Sequence, residues 1–278
     1  MQGAVLSAEF KPRSDYKPTQ EETATKKVVS GSKVWRNPKI EIKELPKPKP
    51  GPRDVLLRIK ACGICGSDVH MYEHDNEGYM LYPGLTKFPT VTGHELAGQI
   101  EEVGKEVKGL KQGDLVCCEE MIWCGYCTPC RNGLPNHCEN LEEIGFTING
   151  GFEEYIAIGS KYCWKIDSLA ETYGSDDKAC EAGSLVEPTS VAYHAMFTRA
   201  EGFKPGAYVV VYGAGPIGLG AIALAKAAGA GKVIVFEVSN ERLSLVKELG
   251  ADYPFNPAEL AKKNSSPHDK VLEITGGA

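Results

Sequence analysis

The pattern of apolar and polar residues changes near residue 190. Before that point, short apolar or β-branched runs are bounded by glycine and proline, which is typical of strands joined by loops; examples are Asp54 to Ala61, Leu96 to Val103 and Asp114 to Cys118. The proline-rich segment Lys43 to Pro52 predicts a rigid connector without helix. The polar stretch Ser14 to Ser32 predicts an exposed loop or hairpin. This first part is therefore predicted to be β-rich.

From about residue 192, the pattern alternates between strand and helix. Ala207 to Tyr212 is a β-branched run that leads into GAGPIG and a helical stretch, and Lys232 to Phe236 forms a second buried run. This order predicts a βαβ unit with parallel strands. Gly213, Gly215 and Gly218 occupy the glycine positions of a dinucleotide-binding loop, where they permit a tight turn, close approach to a pyrophosphate and close helix packing.

An acidic residue strengthens the interpretation of this loop. Glu237 ends the second strand, 19 residues beyond Gly218. A carboxylate there can accept hydrogen bonds from an adenosine ribose and repels a 2′-phosphate, so NAD is favoured over NADP. Arg242 has three interpretations: a flank of the ribose, a partner for a phosphate, or a solvated helix charge. The predicted cofactor-binding residues are Gly213, Gly215, Pro216, Ile217, Gly218, Glu237 and Arg242.

The remaining residues extend the same alternating pattern. Pro254 lies where a third strand, Asp252 to Asn256, is expected. Because proline removes a donor from the strand ladder, that strand is predicted to be short or peripheral. The final residues predict one more helix. We therefore expect two domains, residues 1–191 and residues 192–278.

Four cysteines form a motif that suits one metal ion. Cys124, Cys127, Cys130 and Cys138 follow the spacing C-x2-C-x2-C-x7-C in a loop that contains glycine and proline. Four thiolates complete the tetrahedral shell of zinc and leave no open position, so the site is predicted to be structural. The alternatives are two disulfides or a chance spacing.

A second group of candidate ligands is spread along the chain. Cys65 lies in a glycine-flanked turn, His94 and Glu95 occur in TGHE, and Glu187 occurs in SLVEPTSV. A cysteine, a histidine and a carboxylate with one open position match the needs of a catalytic zinc. Spacing alone also allows His94 to be a hydrogen-bonded core histidine and Glu187 to be a loop carboxylate.

Composition narrows the classes of partner. The net charge is −6 and the pI is about 5.6, which disfavours nucleic acid and leaves a small molecule as the expected partner. No apolar run reaches the ~18 residues that a membrane span needs, so no membrane is expected. Several of the ten cysteines are assigned to metal sites. This usage predicts a reducing, cytoplasmic setting.

The motifs GICGSDVH, TGHE, the four-cysteine loop, EPTSVAYHA and VVVYGAGPIG occur in this order. Together they resemble the zinc-dependent medium-chain alcohol and polyol dehydrogenases from about Lys33 onward. Glutamate at position 187 is similar to the sorbitol and threonine dehydrogenase branch. The resemblance implies an α/β fold class, with a β-rich GroES-like catalytic domain and a partial Rossmann dinucleotide-binding domain. It also implies assembly as homodimers or homotetramers.

The resemblance assigns roles by position. Cys65, His94 and Glu187 match catalytic-zinc ligands, and Glu95 matches the carboxylate that ligates zinc or lies beside it. Ser67 and His70 match a proton relay. The implied cofactors are NAD and two zinc ions per chain, one catalytic and one structural.

The expected reaction is hydride transfer between a secondary alcohol of a polyol or cyclitol and NAD. The overall sequence is similar to inosose dehydrogenases, so an inositol-type ring or its ketone is the narrow expectation; sorbitol, threonine and simple secondary alcohols stay open. Family members are usually longer, and the chain is expected to be truncated at its C-terminus. The alternative is an inactive zinc-binding fragment, which NAD affinity would distinguish. A zinc-free quinone-oxidoreductase type is rejected on the number of candidate ligands.

Overall fold

A computed structural model describes residues 1–277 of the chain. It divides the chain into two compact units, one of residues 1–187 and one that starts at Pro188. The change of sequence pattern near residue 191 falls close to this division, within the helix Val186–Tyr193, and the domain limits themselves stay a prediction. None of the described helices is long and apolar enough to cross a bilayer.

The first unit is built mainly from antiparallel strands. Its strands are β1 (Gln2–Phe10), β2 (Lys27–Val28), β3 (Trp35–Glu44), β4 (Asp54–Gly63), β5 (Thr86–Lys87), β6 (Thr90–Val91), β7 (Glu95–Val103), β8 (Leu115–Cys118), β9 (Met121–Ile122), β10 (Glu142–Glu143), β11 (Tyr155–Gly159) and β12 (Cys163–Lys165). Its helices are α1 (Gln20–Thr25), α2 (Gly66–Tyr72), α3 (Thr128–Arg131), α4 (Asp167–Tyr173) and α5 (Asp176–Ser184), and α6 (Val186–Tyr193) contains the division.

A five-stranded sheet in the order β11-β4-β7-β8-β12 forms the centre of this unit. Side chains alternate across it, as the period of two along a strand requires. On β8, Val116 and Cys118 belong to one buried apolar cluster, whereas Leu115 and Cys117 belong to another, which includes Cys180 of α5. The sheet therefore has apolar packing on both faces.

A smaller sheet in the order β3-β1-β6 packs around Trp35, which is 2% exposed. Many residues from Ser14 to Ser32 are exposed, as expected, but the prediction of a loop or hairpin was wrong. This stretch contains α1, which begins with a capping box between Thr19 and Glu22, and β2, in which Val28 is fully buried. The segment has few apolar residues, but tertiary packing buries the one on β2.

The second unit alternates strands and helices. Its elements are β13 (Tyr208–Tyr212), α7 (Pro216–Ala227), β14 (Lys232–Phe236), α8 (Asn240–Glu248), β15 (Tyr253–Phe255), α9 (Pro257–Ala261) and α10 (Pro267–Thr275). The three strands are parallel in the order β13-β14-β15. Pro254 lies in β15, which has three residues and an edge position, so the prediction of a short or peripheral strand is confirmed.

Candidate metal sites and cofactor loop

Three candidate ligands lie close together at the place where β4 ends and its antiparallel partner β7 begins. β4 and β7 are antiparallel with Gly63 opposite Glu95, so Cys65, two residues beyond β4, lies beside the start of β7. His94 immediately precedes β7, and Glu95 is its first residue. One donor atom from each of Cys65, His94 and Glu95 lies within 4.8 Å of the other two. A Cβ on Gly63 would come within 2.1 Å of Glu95 Oε2, so a larger residue there would displace the Glu95 carboxylate.

Asp68 links the loops that carry these ligands. Its Oδ2 accepts a hydrogen bond from the amide of Cys65 at 2.9 Å, and its Oδ1 accepts one from the amide of Gly93 at 3.0 Å. The same Oδ1 lies 3.9 Å from His94 Nδ1. Sequence reasoning missed Asp68, although the signal was present: an acidic residue three positions after Cys65, which caps the N-terminus of α2.

The environment of His94 fits a metal ligand. His94 is buried, and its ring packs against Phe146 with centroids 4.8 Å apart. Its Nδ1 has no hydrogen-bond partner within residues 1–277. A buried imidazole without a partner costs free energy, and it lies here beside a thiol and a carboxylate. These donors together form a set that suits zinc.

Further carboxyl groups surround the cluster. Glu187 lies outside the close three-residue group. Burial raises its pKa, although the charge of His94 acts in the opposite direction. Burial also raises the pKa of Glu95. Glu120, which sequence reasoning missed, is partly buried, and this desolvation, helped by the charges of Glu143 and Glu187, raises its pKa to about 9. No sequence motif marks Glu120, because its burial depends on segments distant along the chain.

The two predicted relay residues lie three positions apart on α2 and therefore share one face of the helix. The Oγ atom of Ser67 is buried and has no hydrogen-bond partner in the described part of the chain. His70 is exposed, and its Nδ1 lies 3.1 Å from Glu73 Oε2. The helix thus carries an unpaired hydroxyl at one position and a solvent-facing imidazole one turn later.

The four cysteines of the loop also converge. The sulfur atoms of Cys124, Cys127, Cys130 and Cys138 all lie within 4.8 Å of one another. Backbone amides point at the sulfurs: Cys124 N donates to Cys138 Sγ at 3.3 Å, and Cys127 N donates to Cys124 Sγ at 3.4 Å. Although desolvation opposes ionisation, amide donors from Tyr126 and Cys127 lower the pKa of Cys124 to about 6. This arrangement fits a closed tetrathiolate zinc site.

The glycine-rich loop of the second unit connects β13 to α7. Gly213 has a φ of +87°, which disfavours other residues. Gly215 is the N-cap of α7, and Pro216 follows as its first residue. A Cβ on Gly218 would lie 2.0 Å from the carbonyl oxygen of Gly213, so only glycine allows this contact. Ile217 is 43% exposed.

Glu237 joins the glycine-rich loop to the end of β14. Its Oε2 accepts from the amide of Ala214 at 2.7 Å, and its Oε1 accepts from the amide of Ser239 at 2.8 Å. The hydrogen bonds from Ser239 and Ala214 lower the pKa of Glu237, which keeps this 5% exposed side chain anionic. Arg242 is about half exposed, with Nη1 3.9 Å from Glu237 Oε2.

Family models match parts of both units of the chain. The alcohol dehydrogenase GroES-like domain matches residues 51–168, and the zinc-binding dehydrogenase family matches residues 216–278. The chain is 47% identical to the scyllo-inosose 3-dehydrogenase of Thermotoga maritima, over 100% of this chain and 70% of that protein. The chain belongs to the zinc-dependent medium-chain dehydrogenases. This dehydrogenase is therefore an oxidoreductase of the class that acts on CH–OH groups with a nicotinamide cofactor.

Two further comparisons place the dehydrogenase among its relatives. It is 36% identical to the L-threonine 3-dehydrogenase of Pyrococcus horikoshii, over 91% of this chain and 67% of that protein. A solved Thermotoga maritima structure, described as a candidate alcohol dehydrogenase, matches with a TM-score of 0.93 and 46% identity, over 99% of this chain and 70% of that one. The predicted family and fold class, a GroES-like domain with a Rossmann-type domain, are confirmed.

Proposed function

We propose that this dehydrogenase transfers a hydride between NAD and a secondary alcohol of a polyol or cyclitol, with an inositol-type ring or its ketone as the preferred substrate. The main support for this proposal is that Cys65, His94 and Glu95 lie close together in the unit that also contains the unpaired hydroxyl of Ser67. The ring substrate is supported by the printed name of the 47% identical relative.

Cys65, His94 and Glu95 would hold the catalytic zinc, with Glu187 as a further carboxylate close by. When bound, zinc supplies Lewis-acid chemistry that makes an alcohol easier to deprotonate. Asp68 orients the site, because it binds the backbone on both sides of the cluster and lies beside the His94 ring. The four-cysteine loop would hold a second, structural zinc.

Ser67 and His70 supply a route for the alcohol proton. The buried Ser67 hydroxyl is free to accept a hydrogen bond from the substrate and pass a proton on. His70 faces solvent, and its Nδ1 lies within hydrogen-bond distance of a carboxylate oxygen of Glu73. A relay that starts at a buried hydroxyl and ends at an exposed imidazole can release the proton to water.

The preference for NAD over NADP follows from Glu237. Its buried carboxylate stays anionic and repels a 2′-phosphate. Arg242 Nη1 lies 3.9 Å from Glu237 Oε2, so this carboxylate offsets part of the positive charge that a 2′-phosphate would meet. The free amides of Ile217 and Gly218 at the start of α7 would bind the pyrophosphate. Gly213 and Gly215 would let the backbone approach it, and Pro216, which has no N–H, would begin the helix.

Zinc content and turnover test this proposal together. We expect two zinc ions per chain by elemental analysis, and NADH formation with an inositol in a panel that includes sorbitol, L-threonine and a simple secondary alcohol. Cys138→Ser should lower the content to one zinc, whereas Cys180→Ser, outside both clusters, should leave two. One zinc in the unchanged protein would refute the catalytic cluster. A clear preference for L-threonine would refute the ring substrate but keep the enzyme class.

The alternative is a zinc-binding protein without activity. Two zinc ions, no NADH binding and no turnover with any alcohol of the panel would favour it.

Two properties stay predictions: a cytoplasmic location, supported by ten free cysteines, and assembly as a homodimer or homotetramer. Light scattering of the purified protein would measure the assembly.

A further inference from the structure

Cys118 and Cys163 lie directly opposite each other on neighbouring strands. β8 and β12 are antiparallel, and the two cysteines are register partners. The amide of Glu119 donates to the carbonyl of Tyr162 at 2.8 Å, one residue away from the pair. This bond makes Cys118 and Cys163 a non-hydrogen-bonded pair, whose Cα atoms approach to about 4.5 Å. That separation lies within the range that a disulfide spans.

The two side chains point to the same face of the sheet. Cys118 belongs to the buried apolar cluster on that face, and Cys163 packs against the same cluster. Hydrogen bonding with Cys163, together with burial, raises the pKa of Cys118 well above its ordinary value. Cys118 is 5% exposed and Cys163 is partly exposed, so a small reagent reaches Cys163 first. Both cysteines are free thiols in the structure.

Other cysteines are less well placed to react with Cys163. Cys117 is on the opposite face of β8, where its thiol donates to the carbonyl of Trp164 at 3.8 Å. Cys62 lies on β4, and β7 separates β4 from β8. The four loop cysteines form their own close cluster. The sheet register therefore selects Cys118 as the partner of Cys163.

We propose that Cys118 and Cys163 are an oxidation site that forms a reversible disulfide between β8 and β12 in the presence of hydrogen peroxide. The Cys163 thiolate attacks the peroxide O–O bond, gives a sulfenic acid and releases hydroxide, which takes up the thiol proton as water. The Cys118 sulfur then forms the S–S bond and displaces a second water. In total, two thiols and one peroxide give one disulfide and two waters, and a dithiol reductant restores the thiols.

The disulfide would anchor a strand that has little other support. β12 has three residues and lies at the edge of the sheet, with β8 as its partner among the described strands. The residue before it, Tyr162, donates its hydroxyl to the carbonyl of Trp123 at 2.6 Å, next to Cys124. A bond between Cys118 and Cys163 would hold this edge strand beside the base of the four-cysteine loop.

Peptide mapping of the zinc-loaded chain of 278 residues tests the proposal. The protein is treated with hydrogen peroxide, free thiols are alkylated in denaturant, and trypsin digestion is done without reductant. Cleavage after Lys111, Arg131, Lys161 and Lys165 yields residues 112–131 and residues 162–165, the second with Cys163 as its single cysteine. We expect these peptides to be joined, with fragment ions that place the bond at Cys118, and to separate after dithiothreitol treatment.

Variants separate this pairing from random oxidation. Cys163→Ser should abolish the joined peptide, while Cys117→Ala, changed on the opposite face of the same strand, should retain it. Circular dichroism checks that each variant is folded. Cys163 is changed rather than Cys118 because its side chain is partly exposed, so the substitution disturbs the packing less. A joined peptide that uses Cys117 or a loop cysteine overturns the proposal, as does a folded, oxidised protein in which the two peptides stay separate.

Discussion

Asp68 and His94 form a buried pair, with Oδ1 and Nδ1 3.9 Å apart and both side chains 6% exposed. Asp68 also accepts amide hydrogen bonds from Cys65 and Gly93, so one carboxylate positions the backbone of one candidate ligand, the residue before another, and the imidazole itself. At 3.9 Å the two atoms are too far apart for a hydrogen bond, so Asp68 acts on the imidazole through its charge and on the backbone of the ligand loops through its two hydrogen bonds.

Asp68→Asn should weaken binding of the catalytic zinc by about 10- to 100-fold, the usual effect of removing an outer partner of a ligand histidine. The amide group cannot accept two backbone hydrogen bonds and also carry negative charge beside His94. Competition with a chelator would measure the affinity, and the four-cysteine zinc should be retained. Asp177→Asn, which removes an exposed ion pair with Lys60, is the matched control. Equal zinc affinities in the two variants would contradict this role for Asp68.

Ser67→Ala should lower kcat by about 100-fold, the lower end of the range for proton-transfer groups. Stability should change little, because the Ser67 hydroxyl makes no hydrogen bond within residues 1–277. Steady-state kinetics with an inositol substrate and urea unfolding would measure both effects. Unchanged kcat would remove Ser67 from the proton route. A large loss of stability instead would show that the hydroxyl has a structural role.

Glu237→Gln should shift the cofactor preference toward NADP by about tenfold, equivalent to roughly 1.4 kcal/mol. The change removes the anionic charge that repels a 2′-phosphate but keeps a side chain of similar shape beside Ala214. Fluorescence titration with NADH and NADPH would give the ratio of affinities. Glu241→Gln, an exposed residue in the first turn of α8, controls for the loss of one charge. The same shift in both variants would argue against a local effect.

Glu153 should make stability depend on pH. It is 8% exposed, and burial raises its pKa to about 7, despite a hydrogen bond from Asn149 Nδ2 to Oε2 at 3.4 Å. Its folded pKa exceeds the unfolded value of about 4.3, so the native state holds its proton more tightly. This contribution to stability is therefore present at low pH and is lost as the pH rises from about 4.3 to about 7.

Glu153→Gln should remove that dependence, because the amide does not ionise. Relative to the unchanged protein, we expect the variant to gain about 2 to 3 kcal/mol in unfolding free energy between pH 5 and pH 8. Urea unfolding of both proteins at the two pH values would measure the difference. Glu154→Gln, at the neighbouring position, is the control. A difference between variant and parent that is the same at both pH values would show that Glu153 is ionised in the folded state throughout.

The sequence by itself determined the features that one short segment contains. The four cysteines fall within Cys124 to Cys138, and the loop from Gly213 to Gly218 carries its own glycine requirements, because each forms through local backbone geometry. The strand interrupted by Pro254 was also predictable, since proline limits pairing wherever it occurs. In these segments, spacing along the chain is almost equivalent to distance in space.

Tertiary structure decided the rest, because pairing between distant strands is not written in any one segment. The register of β4 with β7 brings Cys65 to His94 and Glu95 and leaves Glu187 outside the close group. Burial by distant segments raises the pKa of Glu120, and the register of β8 with β12 sets Cys118 opposite Cys163. A shift of one residue in either pairing would turn these side chains to opposite faces, so they meet only once the whole sheet has formed.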